Sequence, residues 1–424
     1  MTKHELYDFL EENDVKFVRL GFCDLFGNLY NYSVIANELF RIFEEGQPID
    51  LSPLSGFAQP NTQDVWLRPD INTLSLLPWR PHTNAVLRFY CDIQDAQGAP
   101  FAYDARQNLK QAVKKLHSLG FSCEISTQCE FYLFKTNEND EPTLTPLDQG
   151  GYLDVSPLDK GENIRREICL YLEEMGLNPE CSYHEQGPGQ NEINFMPSDP
   201  LTAADHFITF KSLVKSIATN NGLFASFMPK PFLQKPGSAL QLNMNLMKNG
   251  INLLSDITSP LFRYAQSFMA GILAKIEEIT LFLNPLDNSY ERLGAFDAPK
   301  VVGWSTDNQG QLLKVSMHRG DKSCVELRSA DPTVNPYLVF ALLLEAGIYG
   351  IENNLTMPKD MHEKSPALPA SMQEAIQKAR NSDFVRTYVH ENVLASYAKR
   401  AKVDGTLSVA EREKYYQETY FGML

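Results

Sequence analysis

The stretch from Tyr183 to Met196 reads Y-H-E-Q-G-P-G-Q-N-E-I-N-F-M and determines how the rest of the chain is interpreted. Glu185 and Glu192 flank a Gly-Pro-Gly loop, and glycine permits the sharp backbone turns that such a loop needs. From Gln190 onward polar and apolar residues alternate, which predicts a strand with Glu192 on its polar face. This arrangement can direct two carboxylates into one cavity. The alternative is a solvated strand edge after an ordinary turn.

Other predicted strands also carry polar groups on one face. The patterns place Gln128 with Glu130 on a strand over 121–135, Glu326 with Arg328 on a strand over 324–329, and three amides on a strand over 237–246, namely Gln241, Asn243 and Asn245. Four glutamates on or beside these strands offer the oxygen ligands that Mg²⁺ and Mn²⁺ prefer: Glu130, Glu185, Glu192 and Glu326. Because strand pairing cannot be read from sequence, any one of them could instead be exposed.

Composition excludes several classes of protein. The chain has 424 residues, enough for two or three domains, and 38 Lys+Arg against 53 Asp+Glu give a formal net charge of −15. This charge argues against nucleic acid or an anionic membrane as the main partner. The amino end lacks an apolar signal region, no long apolar run follows, and the scattered cysteines lack C-x-x-C spacing. We therefore expect a cytoplasmic protein with reduced thiols.

Strand and helix patterns predict an α+β fold. Residues 1–100 are predicted to form a small β-rich domain in which the run from Pro48 to Pro60 is a loop. An amphipathic helix over 106–119 opens a larger domain over 101–424. His184 is expected to pack or to form hydrogen bonds rather than bind metal, because no second histidine lies at ligand spacing. Neither common glycine-rich nucleotide-binding loop is present in the sequence.

Five motifs occur in a characteristic order along the chain. They are H-E-x-x-P-G-Q-N-E-I-x-F (184–195), M-P-K-P (228–231), G-S (237–238), N-P-x-x-N-S-Y-x-R-L (284–293) and V-E-L-R-S-A-D-P-x-x-N-P-Y-L (325–338). Together with V-K-F-V-R-L-x-F-x-D-L-F-G (15–27), this order resembles the glutamine synthetase family. The resemblance implies an amino-terminal β-grasp domain over 1–100 and a carboxy-terminal α/β catalytic domain over 101–424. It also implies a ring-forming homo-oligomer with active sites between neighbouring subunits.

The resemblance implies an ATP-dependent reaction organised by two divalent cations, Mg²⁺ or Mn²⁺. Glutamate is phosphorylated on its γ-carboxylate, and an amine then attacks the acyl phosphate. One cation is held by three glutamates of the family, which match Glu130, Glu185 and Glu192, so that site is expected to be complete. The ligands of the other are Glu, His and Glu, and the matching residues here are Gln128, Gln241 and Glu326. Two of its three ligands are thus neutral amides.

The family's nucleotide-binding positions are also altered. The motif W-S-x-R-N-R reads W-S-T-D-N-Q in this chain, so Asp307 and Gln309 replace two arginines, and Asp307 would repel a triphosphate. Cys324 stands where another arginine is expected. The H-x-H-x-S segment becomes Gln241-Leu-Asn243-Met-Asn245. The resemblance therefore implies one intact cation site and a weakened site for the second cation and for ATP.

Residues that handle the amino-acid or related carboxylate substrate are largely kept. Gly237, Arg292 and Arg328 match the family's substrate-binding positions, and the arginine fork suits a carboxylate. Asp50 matches the aspartate that a neighbouring subunit contributes to deprotonate ammonium. Asp297 matches the glutamate of a loop that covers the site, with a side chain one methylene shorter. Arg292, Arg328, Asp50 and Asp297 are the expected catalytic residues.

Two hypotheses follow from these positions. The first is an ATP-dependent ligase that forms a γ-glutamyl amide from glutamate and ammonia or another amine. The second is a pseudoenzyme that binds a cation and a carboxylate without phosphorylating it. Most members of the family are ligases, but the altered residues all concern one half of the reaction, which argues against classical glutamine synthesis.

Overall fold

The computed structural model describes residues 3–57, 64–79, 83–307, 310–316, 322–358, 365–403 and 406–424. The strands are β1 (Val15–Cys23), β2 (Leu29–Ile35), β3 (Gln47–Asp50), β4 (Asp64–Pro69), β5 (Ser75–Leu76), β6 (Ala85–Gln94), β7 (Ser122–Thr136), β8 (Pro142–Pro146), β9 (Pro179–His184), β10 (Gln190–Phe195), β11 (Leu223–Ser226), β12 (Leu240–Lys248), β13 (Ile251–Asn252), β14 (Trp304–Ser305), β15 (Leu313–Ser316) and β16 (Cys324–Leu327). The α-helices are α1 (Lys3–Glu12), α2 (Leu39–Glu45), α3 (Ala105–Ser118), α4 (Glu162–Glu174), α5 (Pro200–Asn220), α6 (Phe262–Leu283), α7 (Pro336–Glu352), α8 (Met372–Arg380), α9 (Asp383–Tyr388), α10 (Glu391–Ala398) and α11 (Val409–Tyr416).

A six-stranded sheet occupies the amino-terminal part of the chain, in the order β2-β1-β6-β4-β3 with β5 paired to β6. Within this sheet, the β1–β6 pair is the only parallel pair of described strands, as expected for neighbours joined by a long connection. The predicted loop over Pro48–Pro60 is wrong at its start, because Gln47–Asp50 forms β3 against β4. Proline is tolerated there because β3 is an edge strand, where one side of the strand needs no donor. Residues 58–60 lie outside the described part of the chain.

A ten-stranded sheet forms the larger part, in the order β14-β15-β16-β12-β7-β10-β9. β8 and β11 pair with β7, and β13 pairs with β12. The long strand β7 is therefore central, and its apolar side chains, such as Phe131 and Leu133, are fully buried in the core that α3, α5, α6 and α7 cover. The boundary near residue 100 lies between β6 and α3 and stays a prediction.

The strand that carries Glu192 is interior. β10 pairs with β7 on one side and β9 on the other, and Glu192 is only 1% exposed. The solvated-edge alternative is therefore wrong. The neighbouring strand predicted over 237–246 begins three residues later, at Leu240. Gly237 and Ser238 precede it in a turn, in which Ser238 N donates to Pro229 O at 2.9 Å.

The β1–β2 turn and the start of α7 interlock. The side chain of Asn335 caps α7 by accepting hydrogen bonds from Tyr337 N and Leu338 N. Its Nδ2 donates to the carbonyl oxygens of Asp24 and Leu25, each at 3.1 Å. Two of the recognised motifs, D-L-F-G and N-P-Y-L, thus meet at one point and fix the amino-terminal sheet against the larger part.

Arg106, at the start of α3, provides a second connection between the two parts. Its guanidinium pairs with Asp92 at 2.6 Å and Asp70 at 3.1 Å from the amino-terminal sheet, and with Asp205 of α5 at 2.9 Å. Arg106 is 3% exposed, so these ion pairs are formed away from water and depend on one another. No described helix is both long enough and apolar enough to cross a membrane.

Candidate functional site

Three carboxylates come together on one face of the large sheet. Glu192 on β10 lies directly opposite Glu130 on β7, and Glu185 follows the end of β9. One carboxylate oxygen from each lies within 4.8 Å of the others, and all three residues are buried. The structure therefore brings together the residues that the sequence predicts for the first cation.

Two uncharged side chains hold this cluster, and the sequence did not identify either of them. Tyr183 lies opposite Glu192 on β9, and its hydroxyl donates to Glu192 Oε1 at 2.5 Å. Gln190 Nε2 donates to Glu130 Oε2 at 3.0 Å, and Ala239 N donates to the same oxygen at 2.9 Å. Both side chains belong to the stretch 183–196, and the alternation that places Gln190 on the same strand face as Glu192 was the only sign in the sequence of a role for it. Which carboxylate each side chain contacts depends on how the strands pair, which the sequence does not show.

The electrostatics of the cluster favour a bound cation. Burial, and then the charges of Glu192 and Glu185, raise the pKa of Glu130 well above its ordinary value. Burial is also the main cause that raises the pKa of Glu185, and that raises the pKa of Glu192 to about 7. None of the three forms an ion pair with a described lysine or arginine. A divalent cation with oxygen ligands fits this donor set and would favour the ionised carboxylates.

Glu326 is in a different environment. Its Oε1 accepts a hydrogen bond from Arg328 Nη1, and its Oε2 lies 3.9 Å from Lys314 Nζ. Arg328 Nη1 also donates to Gln241 Oε1 at 3.1 Å. Two cations of the chain therefore already neutralise this carboxylate. The role of Glu326 as a metal ligand stays a prediction.

Neutral groups line the neighbouring part of the sheet. Gln128 on β7 lies opposite Gln241 on β12 and opposite Asn194 on β10. Cys324 Sγ donates to Asn243 Oδ1 at 3.6 Å. With its amide oriented to satisfy its neighbours, the buried Asn245 donates to Ser323 O at 3.1 Å. The polar face predicted for this strand is thus made of amides that bond mainly to protein groups.

Asp307 lies just after β14 and is exposed, so its charge is available at the surface near the end of the sheet. Its backbone amide donates to Ser305 Oγ at 3.1 Å. Gln309, the other altered position of this motif, lies outside the described residues. The proposed repulsion of a triphosphate therefore depends on Asp307.

A small cavity of about 50 Å³ adjoins two of the three carboxylates, Glu130 and Glu185. Its walls include Glu130, Glu185, Gln241, Gly237, Arg292, Arg328 and Asp297. A side chain at Gly237 would bring its Cβ to 2.4 Å from Pro229 O, so this position requires glycine. Arg292 is buried beside it and donates through Nη2 to Ala330 O at 2.9 Å. The structure thus places two of the predicted cation ligands, Glu130 and Glu185, and the predicted substrate-binding residues around one space.

The loop acid Asp297 lies at the mouth of this cavity. Gln186 Nε2 donates to Asp297 Oδ2 at 2.7 Å, and the charge of Asp297 contributes, after burial, to the raised pKa of Glu185. The preceding Phe296 has φ +53°, and Lys230 Nζ lies 4.5 Å from the centre of its ring. The loop that carries Asp297 therefore lies beside the site, as predicted.

Asp50 does not reach this cavity within the same chain. It is an exposed residue at the end of β3, and its oxygens accept hydrogen bonds from the backbone amide and the hydroxyl of Ser52 at 2.7 and 2.9 Å. These hydrogen bonds lower the pKa of Asp50, with the backbone bond the larger cause. Its expected role in the site of a neighbouring subunit stays a prediction.

His184 forms the hydrogen bonds expected of it. Its ring is buried, with Nε2 2.9 Å from Asp148 Oδ1 and Nδ1 2.6 Å from Glu185 O. Burial alone would raise the pKa of Asp148, but hydrogen bonds from His184 and from the amides of Lys160 and Gly189 lower it to about 2. Asp148 and His184 therefore hold the backbone of Glu185 from behind the cluster.

Two family models match the chain. The glutamine synthetase β-grasp domain matches residues 14–96, and the glutamine synthetase catalytic domain matches residues 102–417. The chain belongs to the glutamine synthetase family. The α+β fold class, with its two expected parts, is thereby confirmed. A glutamine synthetase of Clostridium saccharobutylicum is 39% identical over 412 residues, covering 93% of each chain. One from Staphylococcus aureus strain Mu50 is 36% identical over 439 residues, covering 98% of each.

Solved structures agree with this membership of the glutamine synthetase family. A structure of GmaS in complex with ADP has a TM-score of 0.83 and 25% identity, and covers 97% of this chain and 96% of its own. A glutamine synthetase of Plasmodium falciparum has a TM-score of 0.84 with 21% identity, which shows the shared fold. The chain thus has the architecture of this family over nearly its whole length.

Proposed function

We propose that this glutamine synthetase family member is a ligase that joins the γ-carboxylate of glutamate to ammonia or another amine, with ATP as the phosphoryl donor. The observation that carries the proposal is the cluster of Glu130, Glu185 and Glu192, of which Glu130 and Glu185 line one cavity with Arg328 and Asp297. The glutamine synthetases at 36–39% identity support the same reaction class.

Glu130, Glu185 and Glu192 would hold one Mg²⁺ or Mn²⁺. When bound, the cation acts as a Lewis acid and neutralises the charge that develops on transferred oxygens. Tyr183 and Gln190 position two of the ligands through the hydrogen bonds described above. Gly237 leaves room for a carboxylate substrate beside these ligands, and Arg292 and Arg328 supply positive charge to the same wall.

Asp297 gives the mouth of the cavity a negative charge, which attracts an ammonium ion or a protonated amine. Because Asp50 is exposed and lies outside the cavity of its own chain, we propose that it acts in the site of a neighbouring subunit in a ring-forming homo-oligomer. Light scattering tests this arrangement: a monomer at working concentration would contradict it. The cytoplasmic location and the lack of a nucleic-acid partner stay predictions.

On the nucleotide side we propose weak binding of the second cation and of ATP. Gln128 and Gln241 supply no charge there, and Glu326 is already paired with Arg328 and Lys314. The same ion pairs favour a second candidate function, a pseudoenzyme that binds one cation and a carboxylate but no longer phosphorylates it.

Calorimetry and phosphate release distinguish the two candidates. For a ligase, ATP binds in the presence of Mg²⁺, and phosphate is released only when glutamate and an amine are both present. For the pseudoenzyme, Mn²⁺ and glutamate bind but ATP does not. Glu192→Gln serves as the control, because any phosphate release that persists in this variant comes from a contaminating enzyme and would remove the support for the ligase.

A further inference from the structure

A second cavity, of about 260 Å³, lies between the β1–β2 turn and helix α5. It shares no lining residue with the cavity beside Glu130 and Glu185. Three cationic side chains line it: Lys211 and Lys215, one turn apart on α5, and Arg400, which follows α10. In a chain with a formal net charge of −15, such a concentration of positive charge is local and is not part of a generally basic surface.

The charges of this cavity are poorly neutralised by the protein. Arg400 stacks on the ring of Phe26, with Cζ 4.3 Å from the ring centre, and its buried Nη1 has no hydrogen-bond partner. The side-chain ammonium of Lys215 forms no ion pair or hydrogen bond within the described residues, and only the backbone carbonyl of Lys215 accepts a side-chain hydrogen bond, from Thr219 Oγ1 at 2.9 Å. Burial, together with the charge of Lys211, lowers the pKa of Lys215 to about 8. Within the described part of the chain, Lys211 Nζ donates to one group, the backbone carbonyl of Pro332, at 3.1 Å, and lies 5.1 Å from the centre of the Phe207 ring. Half-buried cations without an ion pair are costly to keep in a folded protein.

Two acids, Asp24 and Asp331, lie close enough to act on the cations of this cavity. Asp24 accepts hydrogen bonds from Phe26 N, from Asn28 N and from Asn28 Nδ2, each at 2.9 Å. Asp331 accepts hydrogen bonds from Thr333 through Oδ1, and its buried Oδ2 has no hydrogen-bond partner among the described residues. Both act on Lys211 and Arg400 through longer-range attraction, but neither forms an ion pair with these cations in the described part of the chain.

We propose that this cavity binds a small oxyanion with at least two negative charges, of the phosphate or polycarboxylate class. Arg400 offers a planar fork with an unused N–H, and Lys215 offers an ammonium without a partner, which are the groups that bind such anions. The volume suits a molecule of metabolite size. It is too small to enclose a polymer segment.

Calorimetry on the full chain without divalent cations tests this proposal. Pyrophosphate and citrate are used as separate probes, because they distinguish the phosphate class from the polycarboxylate class. We expect one or both to bind, and Arg400→Gln and Lys215→Gln to weaken binding by about tenfold or more each, the loss typical of a hydrogen bond to a charged group. Lys399→Gln is the matched control, because it removes the same charge from the exposed neighbouring residue. Binding equal in all variants, or weaker than about 1 mM for both anions, would overturn the proposal.

Thermal unfolding gives an independent readout. Without an anion, Lys215→Gln should not lower the melting temperature, because it removes a half-buried charge that has no ion pair within the described residues. Pyrophosphate or citrate should raise the melting temperature of the wild-type chain but not that of the variant. A variant that is destabilised without anion yet keeps the gain would show that the cations serve the fold only, which would also overturn the proposal.

Discussion

Two halves of one face of the large sheet differ in the protein groups that contact their buried glutamates. Around Glu130, Glu185 and Glu192 the protein supplies hydrogen bonds from uncharged groups but no ion pair among the described residues. Around Glu326 it supplies Arg328 and Lys314. The strands are neighbours, so both halves have the same backbone frame. The difference lies in side chains alone.

This contrast indicates which half depends on a ligand. Three buried carboxyl groups with raised pKa values are costly to ionise without a cation, whereas the half with Gln128 and Gln241 satisfies its one carboxylate internally. A bound cation would stabilise the first half and would compete with the ion pairs of the second. Each of the following changes tests that difference.

The largest effect is expected for Glu192→Gln. Because partners that merely orient a metal ligand contribute about 10- to 100-fold to affinity, loss of a ligand should weaken Mn²⁺ binding by more than about a hundredfold. Calorimetry measures this directly. Glu326→Gln is the matched control, since it makes the same carboxylate-to-amide change in the other half, and there we expect less than about a tenfold loss. Equal losses in the two variants would contradict the contrast.

The pH dependence of stability comes next. In the cation-free protein the folded pKa of Glu192 is about 7, above its ordinary value of 4.5, so the folded state holds a proton that the unfolded state releases. Stability contributed by this group is present below pH 4.5 and is lost as pH rises to about 7, by on the order of 2–3 kcal/mol. Chemical denaturation across this window measures it. Saturating Mn²⁺ should flatten the profile, and a cation-free profile that rises between these pH values would contradict the electrostatics.

Gly237→Ala tests whether the half of the sheet face that carries Glu130, Glu185 and Glu192 can accommodate an added methyl group. The new Cβ would lie 2.4 Å from Pro229 O and 3.0 Å from Arg292 Cγ, so we expect a loss of roughly 1–2 kcal/mol in the free energy of unfolding, with weaker glutamate binding. Denaturant unfolding and calorimetry check the two parts. Gly151→Ala is the control, because there the nearest atom to a Cβ is Asp154 Oδ2 at an ordinary 3.7 Å.

The smallest effect is expected from restoring charge in the half of the sheet that we propose faces the nucleotide. Gln128 and Gln241 lie opposite each other, so Gln128→Glu with Gln241→His would place two family ligands beside Glu326. We expect Mg²⁺-ATP affinity to increase by about tenfold, limited by competition from Arg328 and Lys314 for Glu326. No gain would mean that positions such as Asp307 or Cys324 also prevent nucleotide binding.

The sequence by itself determined the family, the fold class and the three clustered glutamates. Ordered motifs such as H-E-x-x-P-G-Q-N-E and V-E-L-R-S-A-D-P carry this information locally, because each fixes a turn or an alternation within a few residues. The same reading identified the amides at Gln128 and Gln241 as departures from the family pattern. It also predicted that His184 forms hydrogen bonds, which the structure shows.

Only the tertiary structure decided the partners of these residues. Tyr183 and Gln190 hold the cluster, and Lys314 and Arg328 neutralise Glu326, because of strand register, which depends on contacts between distant parts of the chain. Similarly, Lys215 and Arg400 are 185 residues apart in the sequence and share one cavity only because α5 and the segment that follows α10 come together in the fold. Local patterns specify strands and helices, whereas charge pairing depends on which elements become neighbours.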